Sequence, residues 1–88
     1  MVRELRILED AANDLAYLMQ REPRLCKKLG ALLDDIQRNG NEGIGKPEPL
    51  MYGLQGWWSR RITDEHRLIY RIEDNMVIIG ACRYHYDK

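Results

Sequence analysis

Side chains that can transfer protons or bind anions are concentrated after residue 45 of this 88-residue chain. A carboxylate or a histidine can remove a proton from a hydroxyl, and an arginine can neutralise a phosphate. A histidine or a tyrosine can then return a proton to the leaving oxygen. These groups are sufficient to cleave RNA without a metal or cofactor, by attack of a 2′-hydroxyl on its own phosphate. The candidates are Lys46, Glu48, Arg60, Arg61, His66, Arg67, Arg83, His85 and Tyr86.

Each candidate also has a structural explanation, so the spacing alone does not select this chemistry. Glu48 is a loop glutamate, although Pro47 and Pro49 on either side restrict its backbone. Arg67 could form cross-strand ion pairs, and His85 could cap the core at the end of a strand.

Two adjacent tryptophans, Trp57 and Trp58, offer a surface for a nucleic-acid base. Neighbouring residues of a strand face opposite ways, so one ring is expected in the core and the other outside. We assign Trp58 as the candidate RNA contact. In the tail ACRYHYDK the same alternation places Arg83 and His85 on one face of the last strand, with Tyr86 near its rim.

Hydrophobic periodicity predicts the elements that carry these residues. An alternating segment, Val2–Leu8, predicts an opening strand, and apolar residues at helical spacing predict a two-helix hairpin over about 10–39. Five of the seven glycines fall in 40–56, which we interpret as a long functional loop. The remaining strands are expected at Trp57–Ile62, His66–Glu73 and Met76–Tyr86. The prediction is one α+β domain over 1–88 with the order β-α-α-β-β-β, in which a mainly antiparallel sheet packs against the hairpin.

Composition limits the partners and the compartment. Fourteen basic residues balance fourteen acidic ones, so net charge does not indicate a nucleic-acid partner, although ten of the basic residues are arginines. No apolar run approaches the ~18 residues needed to span a bilayer. Cys26 and Cys82 lack the spacing of metal ligands or of a disulfide framework, so we expect a reducing, cytoplasmic location.

The second half of the chain, Gly45–Tyr86, closely resembles the Txe/YoeB family of the RelE/ParE toxin superfamily. The resemblance rests on four segments in the same order and at the same spacing: KPEPL, WSRRIT, DEHRLIY and ACRYHY. The first forty residues resemble the family less, since the first helix carries only Tyr17 where relatives have several aromatic residues.

The resemblance implies the toxin of a type II toxin–antitoxin pair, acting as an endonuclease that cuts mRNA in the A site of translating ribosomes. It implies Glu48 as general base, Arg67 as the phosphate-stabilising residue, His85 as general acid and Tyr86 as a residue that places the substrate. By the same resemblance Arg60, Arg61 and Lys46 contact the RNA backbone. The implied partner is a YefM/Phd-type antitoxin, through which alone the pair binds operator DNA. A homodimer is a further expectation.

Two other functions stay open at this point. A ParE-like toxin would inhibit a topoisomerase by binding alone, and it would have no need of Glu48, Arg67 and His85 together. A degenerate toxin would serve as an antitoxin-binding regulatory module.

Overall fold

The computed structural model describes residues 2–51 and 53–83 as two helices and five strands. The first helix and the second are separated by Glu22 and a single 3-10 turn, Pro23–Leu25. The elements, in chain order, are β1 Glu4–Ile7, α1 Glu9–Arg21, α2 Cys26–Asn39, β2 Glu48–Pro49, β3 Trp58–Arg61, β4 Arg67–Glu73 and β5 Met76–Ala81.

Both helices bury one apolar stripe. Acidic Glu9 and Asp10 occupy the first turn of α1, where they complement the helix dipole. Helix α2 ends at Asn39 and is followed by Gly40, whose φ of 70° is readily adopted by glycine and whose N–H donates to the Ile36 carbonyl at 2.9 Å.

The strands form one mixed sheet in the order β1-β5-β4-β3-β2. Strand β1 pairs with β5 in parallel, and every other neighbouring pair is antiparallel. The helices cover one face, where the main core includes Leu18, Leu32, Ile36, Tyr70 and Ile79. The predicted α+β fold is therefore confirmed.

The sheet has one strand more than predicted, because β2 lies inside the segment interpreted as an irregular loop. Residues that precede proline favour extended backbone, and Pro49 imposes this on Glu48. Proline has no N–H to donate, which suits an edge strand such as β2.

The last strand is shorter than predicted and ends at Ala81. The next N–H, that of Cys82, donates to Asp14 Oδ2 of α1 at 2.9 Å instead of continuing the sheet. The Cys82 thiol is buried in the core, and the Arg83 guanidinium lies 3.5 Å from the centroid of the Tyr17 ring. The chain therefore leaves the sheet toward α1 at residues 82 and 83.

Candidate active site on the open face of the sheet

The sheet face opposite the helices, which we call the open face, carries charged residues around a small apolar cluster. Alternation along β3 and β4 places Ser59, Arg61, Arg67, Ile69 and Arg71 on it. Its apolar part consists of Leu50, Ile69 and Ala81 with Trp57 packed against them.

Glu48 lies on the edge strand β2, opposite Ser59, and therefore on the open face. Its side chain is exposed, and within residues 2–51 and 53–83 its carboxylate has no hydrogen-bonding partner. The position of this carboxylate is thus determined by the backbone that carries it.

Arg67 begins β4 on the same face, and the preceding turn holds one edge of its guanidinium. Its Nη1 donates to the Thr63 carbonyl at 2.7 Å, with longer contacts to the carbonyls of Asp64 and His66. Among the described residues, Nε and Nη2 have no partner. This arrangement orients the guanidinium and leaves two donors available to an anion.

Arg61 is directly opposite Arg67 in the register of β3 and β4. Two like charges at opposing positions of one sheet face repel each other unless an anion lies between them. The Nε atom of Arg61 is buried without a hydrogen-bond partner in the described part of the chain, and its Nη1 lies 3.6 Å from Asp64 Oδ1. The pair favours binding of a phosphate.

Glu48 and Arg67 are near enough to approach one ligand. They are separated by two strand spacings across the sheet and two residues along β4, which corresponds to roughly 12 Å between their Cα atoms. Both side chains extend from the same face. A nucleotide linkage can therefore lie between the carboxylate and the guanidinium.

Lys46 precedes β2 in the loop and is exposed. Its φ of 52° is unusual for a residue with a side chain. Such backbone strain is concentrated at functional sites, which supports a role for this loop.

Arg60 does not fit its predicted role as an RNA contact. It is fully buried on the helix side of the sheet, where its guanidinium donates to protein acceptors. A buried guanidinium is not presented to RNA, so Arg61 alone of this pair remains a candidate contact.

Trp58 is also on the opposite side from that predicted, because it packs against the main core beneath the helices. Trp57 is the ring on the open face, between Gly80 and the Arg71 guanidinium, which lies 5.5 Å from its centroid. An open pocket of about 290 Å³ beside Trp57 is lined by Leu50, Leu54 and Ile69, among others.

His85 and Tyr86 lie outside the described residues, so the structure does not place the predicted general acid. His66 is buried, and its backbone N–H donates to Thr63 Oγ1 at 3.0 Å in the turn that also holds Arg67. Its Nε2 lies 3.6 Å from Glu65 Oε1 and 3.8 Å from Glu22 Oε2. Among described residues these three side chains are close enough to hold a metal ion, with ligand atoms within 4.8 Å of one another.

Sequence reasoning missed Asp35, which accepts hydrogen bonds from Arg60 and from the Ile44 N–H at 3.1 Å. Nothing in the local pattern of α2 distinguishes it from its neighbour Asp34. Alternation along the strand already indicates that Arg60 and Trp58 lie on the sheet face opposite Arg61.

No helix in the described residues is long and apolar enough to cross a membrane.

Comparison with known proteins identifies the family. A model for the YoeB-like toxin of bacterial type II toxin–antitoxin systems matches residues 8–86. Toxin YoeB of Escherichia coli K12 is 49% identical over 78 residues, which is 89% of this chain and 93% of that protein. Toxin YoeB of Mycobacterium bovis is 42% identical over 85 residues, which is 97% of this chain and 100% of that protein.

Solved structures agree with the sequence comparison. The YoeB dimer from Staphylococcus aureus is 44% identical and superposes with a TM-score of 0.89 over 98% of this chain and 100% of that chain. The RelBE2 toxin–antitoxin complex from Mycobacterium tuberculosis is 26% identical, with a TM-score of 0.74 over 97% of this chain and 100% of that chain. The chain belongs to the YoeB family of toxins of bacterial type II toxin–antitoxin systems.

Proposed function

We propose that this toxin is a ribosome-dependent endonuclease that cleaves mRNA in the ribosomal A site. The observation that carries the proposal is the presence of Glu48, Arg61 and Arg67 on one open sheet face, with the Arg67 guanidinium oriented by the Thr63 carbonyl. These are the charges that cleavage by a 2′-hydroxyl requires.

In the proposed reaction Glu48 accepts the proton of the 2′-hydroxyl while O2′ attacks the adjacent phosphorus. Arg67, with Arg61 opposite, neutralises the charge that develops on the non-bridging oxygens. The P–O5′ bond breaks as O5′ receives a proton from His85, and Tyr86 helps to place the substrate. The products are a 2′,3′-cyclic phosphate and a 5′-hydroxyl, so protons and charges balance without a redox partner.

His85 enters this scheme through the family resemblance alone. Its residue type suits the role, because the unperturbed pKa of histidine, about 6.5, lies near neutral pH.

The RNA backbone contacts are proposed to be Arg61 and, more weakly, Lys46. Trp57 replaces Trp58 as the aromatic residue available for stacking, because it is the ring on the open face. We further propose an antitoxin partner of the YefM type and a toxin dimer in the cytoplasm. This follows the YoeB–YefM complex and the YoeB dimer of S. aureus.

Induction of Arg67→Lys in cells, followed by mapping of mRNA 5′ ends, tests the proposal. Lysine keeps the charge but loses the planar fork that the Thr63 carbonyl orients. We expect cleavage within codons by the wild type, a strong loss with Arg67→Lys, and no loss with the exposed control Arg38→Lys. Growth arrest by the wild type with intact mRNA would contradict the proposal and favour a binding-only toxin.

A further inference from the structure

The most completely hydrogen-bonded side chain in the described structure is that of a buried arginine, Arg60. All five of its N–H donors have an acceptor, although the side chain is fully buried. Nε donates to the Tyr70 hydroxyl at 3.3 Å. Nη1 donates to Asp35 and to the Ile44 carbonyl, and Nη2 to the carbonyls of Gly40 at 2.6 Å and Glu42 at 3.1 Å.

Three of these acceptors are backbone carbonyls of alternate residues, 40, 42 and 44, in one loop. A planar guanidinium presents its donors at set angles, so these backbone carbonyls are held in one arrangement around it. A lysine at this position would supply one nitrogen with three donors and could not hold the same set.

Asp35 supports the loop from the other side. Its Oδ2 accepts from Arg60 Nη1 and from the Ile44 N–H at 3.1 Å, and its Oδ1 accepts from Asn39 Nδ2 at 2.7 Å. The hydrogen bond from Arg60 keeps the pKa of the Asp35 carboxyl below its ordinary value. The carboxylate is therefore held in its charged form beneath the loop.

The loop closes tightly on this pair. A Cβ on Gly43, whose φ is 137°, would overlap Asp35 Oδ2, so only glycine allows the approach. The Gly45 carbonyl then accepts from the Arg61 N–H at 2.6 Å. Three residues later Glu48 pairs with Ser59. The Arg60 side chain thus holds the start of the loop, while the backbone of its two neighbours holds the end.

We propose that Arg60 and Asp35 are positioning residues that fix loop 40–45 and so place the Glu48 carboxylate for proton transfer. This inference rests on the proposed function for the role of Glu48. Because that carboxylate has no partner of its own among described residues, a displacement of its backbone moves it directly.

The first measurement is independent of activity. Amide hydrogen exchange is compared for Arg60→Lys, Asp35→Asn and the control pair Arg38→Lys and Asp34→Asn, an exposed ion pair on the same helix. We expect exchange about tenfold faster at residues 44–48 and 59–61 in the first two variants, with β4–β5 unchanged. Unchanged exchange in that segment would overturn the inference. Tyr70→Phe, which removes a single acceptor, gives a milder variant if either fails to fold.

The second measurement is single-turnover cleavage of ribosome-bound mRNA. Misplacement of a reacting group by about 1 Å costs up to ~100-fold, so we expect Arg60→Lys to slow cleavage at least about tenfold without weakening ribosome binding. In a Glu48→Gln background Arg60→Lys should cause no further loss, since both changes act on one carboxylate. A double variant that cleaves more slowly than Glu48→Gln alone would refute positioning through Glu48.

The two measurements separate the inference from the proposed function. If exchange increases in the loop but Glu48→Gln cleaves like the wild type, Arg60 and Asp35 do hold the loop, and the catalytic role of Glu48 is wrong. If Glu48→Gln is impaired and Arg60→Lys is not, Glu48 stands and the positioning inference fails.

Discussion

The substitution Asp35→Asn removes the charge of the buried Asp35–Arg60 pair. Asparagine keeps the shape and one acceptor oxygen, so the Arg60 Nη1 hydrogen bond is retained, while the amide NH2 takes the place of the Oδ1 that accepts from Asn39. The main loss is the negative charge opposite a fully buried guanidinium. The Asp35 side chain is 18% exposed, so solvent compensates the loss only in part.

The expected cost has an upper limit. Removal of a whole buried partner costs about 3–5 kcal/mol, and Asp35→Asn costs less because a hydrogen bond to the charged guanidinium is kept. We expect Asp35→Asn to lower the free energy of unfolding by about 2 kcal/mol at neutral pH. For a domain of this size that corresponds to a fall in Tm of about 8–16 °C.

The cost should depend on pH with a defined sign. The pKa of Asp35 is lower in the folded state than in the unfolded chain, mainly because of the Arg60 hydrogen bond. The pair therefore contributes its full stability above the unfolded pKa of about 3.9, and loses it as the pH falls through the folded pKa. The difference between wild type and variant should shrink over that acidic range.

Urea unfolding of the two proteins across the acidic range measures this difference. Asp34→Asn is the matched control, because its ion pair with Arg38 is exposed and is expected to contribute less than about 0.5 kcal/mol. An equal loss of unfolding free energy in Asp35→Asn and Asp34→Asn would refute the reasoning. A difference between wild type and Asp35→Asn that stays constant down to strongly acidic pH would refute it as well.

Three further changes test other parts of the structure. Gly80→Ala should lower the free energy of unfolding, measured with urea, by about 1–3 kcal/mol, because its Cβ would meet the Trp57 ring at 2.8 Å. Unchanged stability would show that the ring moves freely. Burial raises the pKa of the Cys82 thiol to about 12, so iodoacetamide should modify exposed Cys26 and spare Cys82 in the folded protein, as mass spectrometry can show. Lys46→Gly should raise the free energy of unfolding by about 1 kcal/mol, because it removes the side chain from a residue with positive φ. It should also weaken ribosome binding. Lower stability would contradict the presence of backbone strain at this residue.

Periodicity was enough to predict the helices and most of the sheet. The helical spacing of apolar residues marked the hairpin over 10–39, and the alternation after Trp57 marked the strands, because these signals lie within single segments. Strand β2 was not predicted because its two residues, Glu48 and Pro49, are too few to show a period. The end of β5 was not predicted, because the Cys82 N–H donates to Asp14, a residue distant in sequence.

The site was predictable only as far as local rules applied. The motif around Glu48 and Arg67 led to two residues on the open face. Arg60 and Arg61 were assigned one role, although neighbouring strand residues face opposite ways. The function of Arg60 depends on Asp35 and on three loop carbonyls, and no local pattern brings those together. His85 and Tyr86 remain predictions.

The most direct test of the account is the chemistry of the mRNA ends produced in a reconstituted translation system by the wild type and by Glu48→Gln. Glu42→Gln, an exposed glutamate of the same loop, is the control. We predict 5′-hydroxyl and 2′,3′-cyclic phosphate ends that appear only with ribosomes present, with cleavage slowed about 10²–10⁴-fold by Glu48→Gln and not by the control. Cleavage by Glu48→Gln at the wild-type rate, or inhibited translation with intact mRNA, would contradict it.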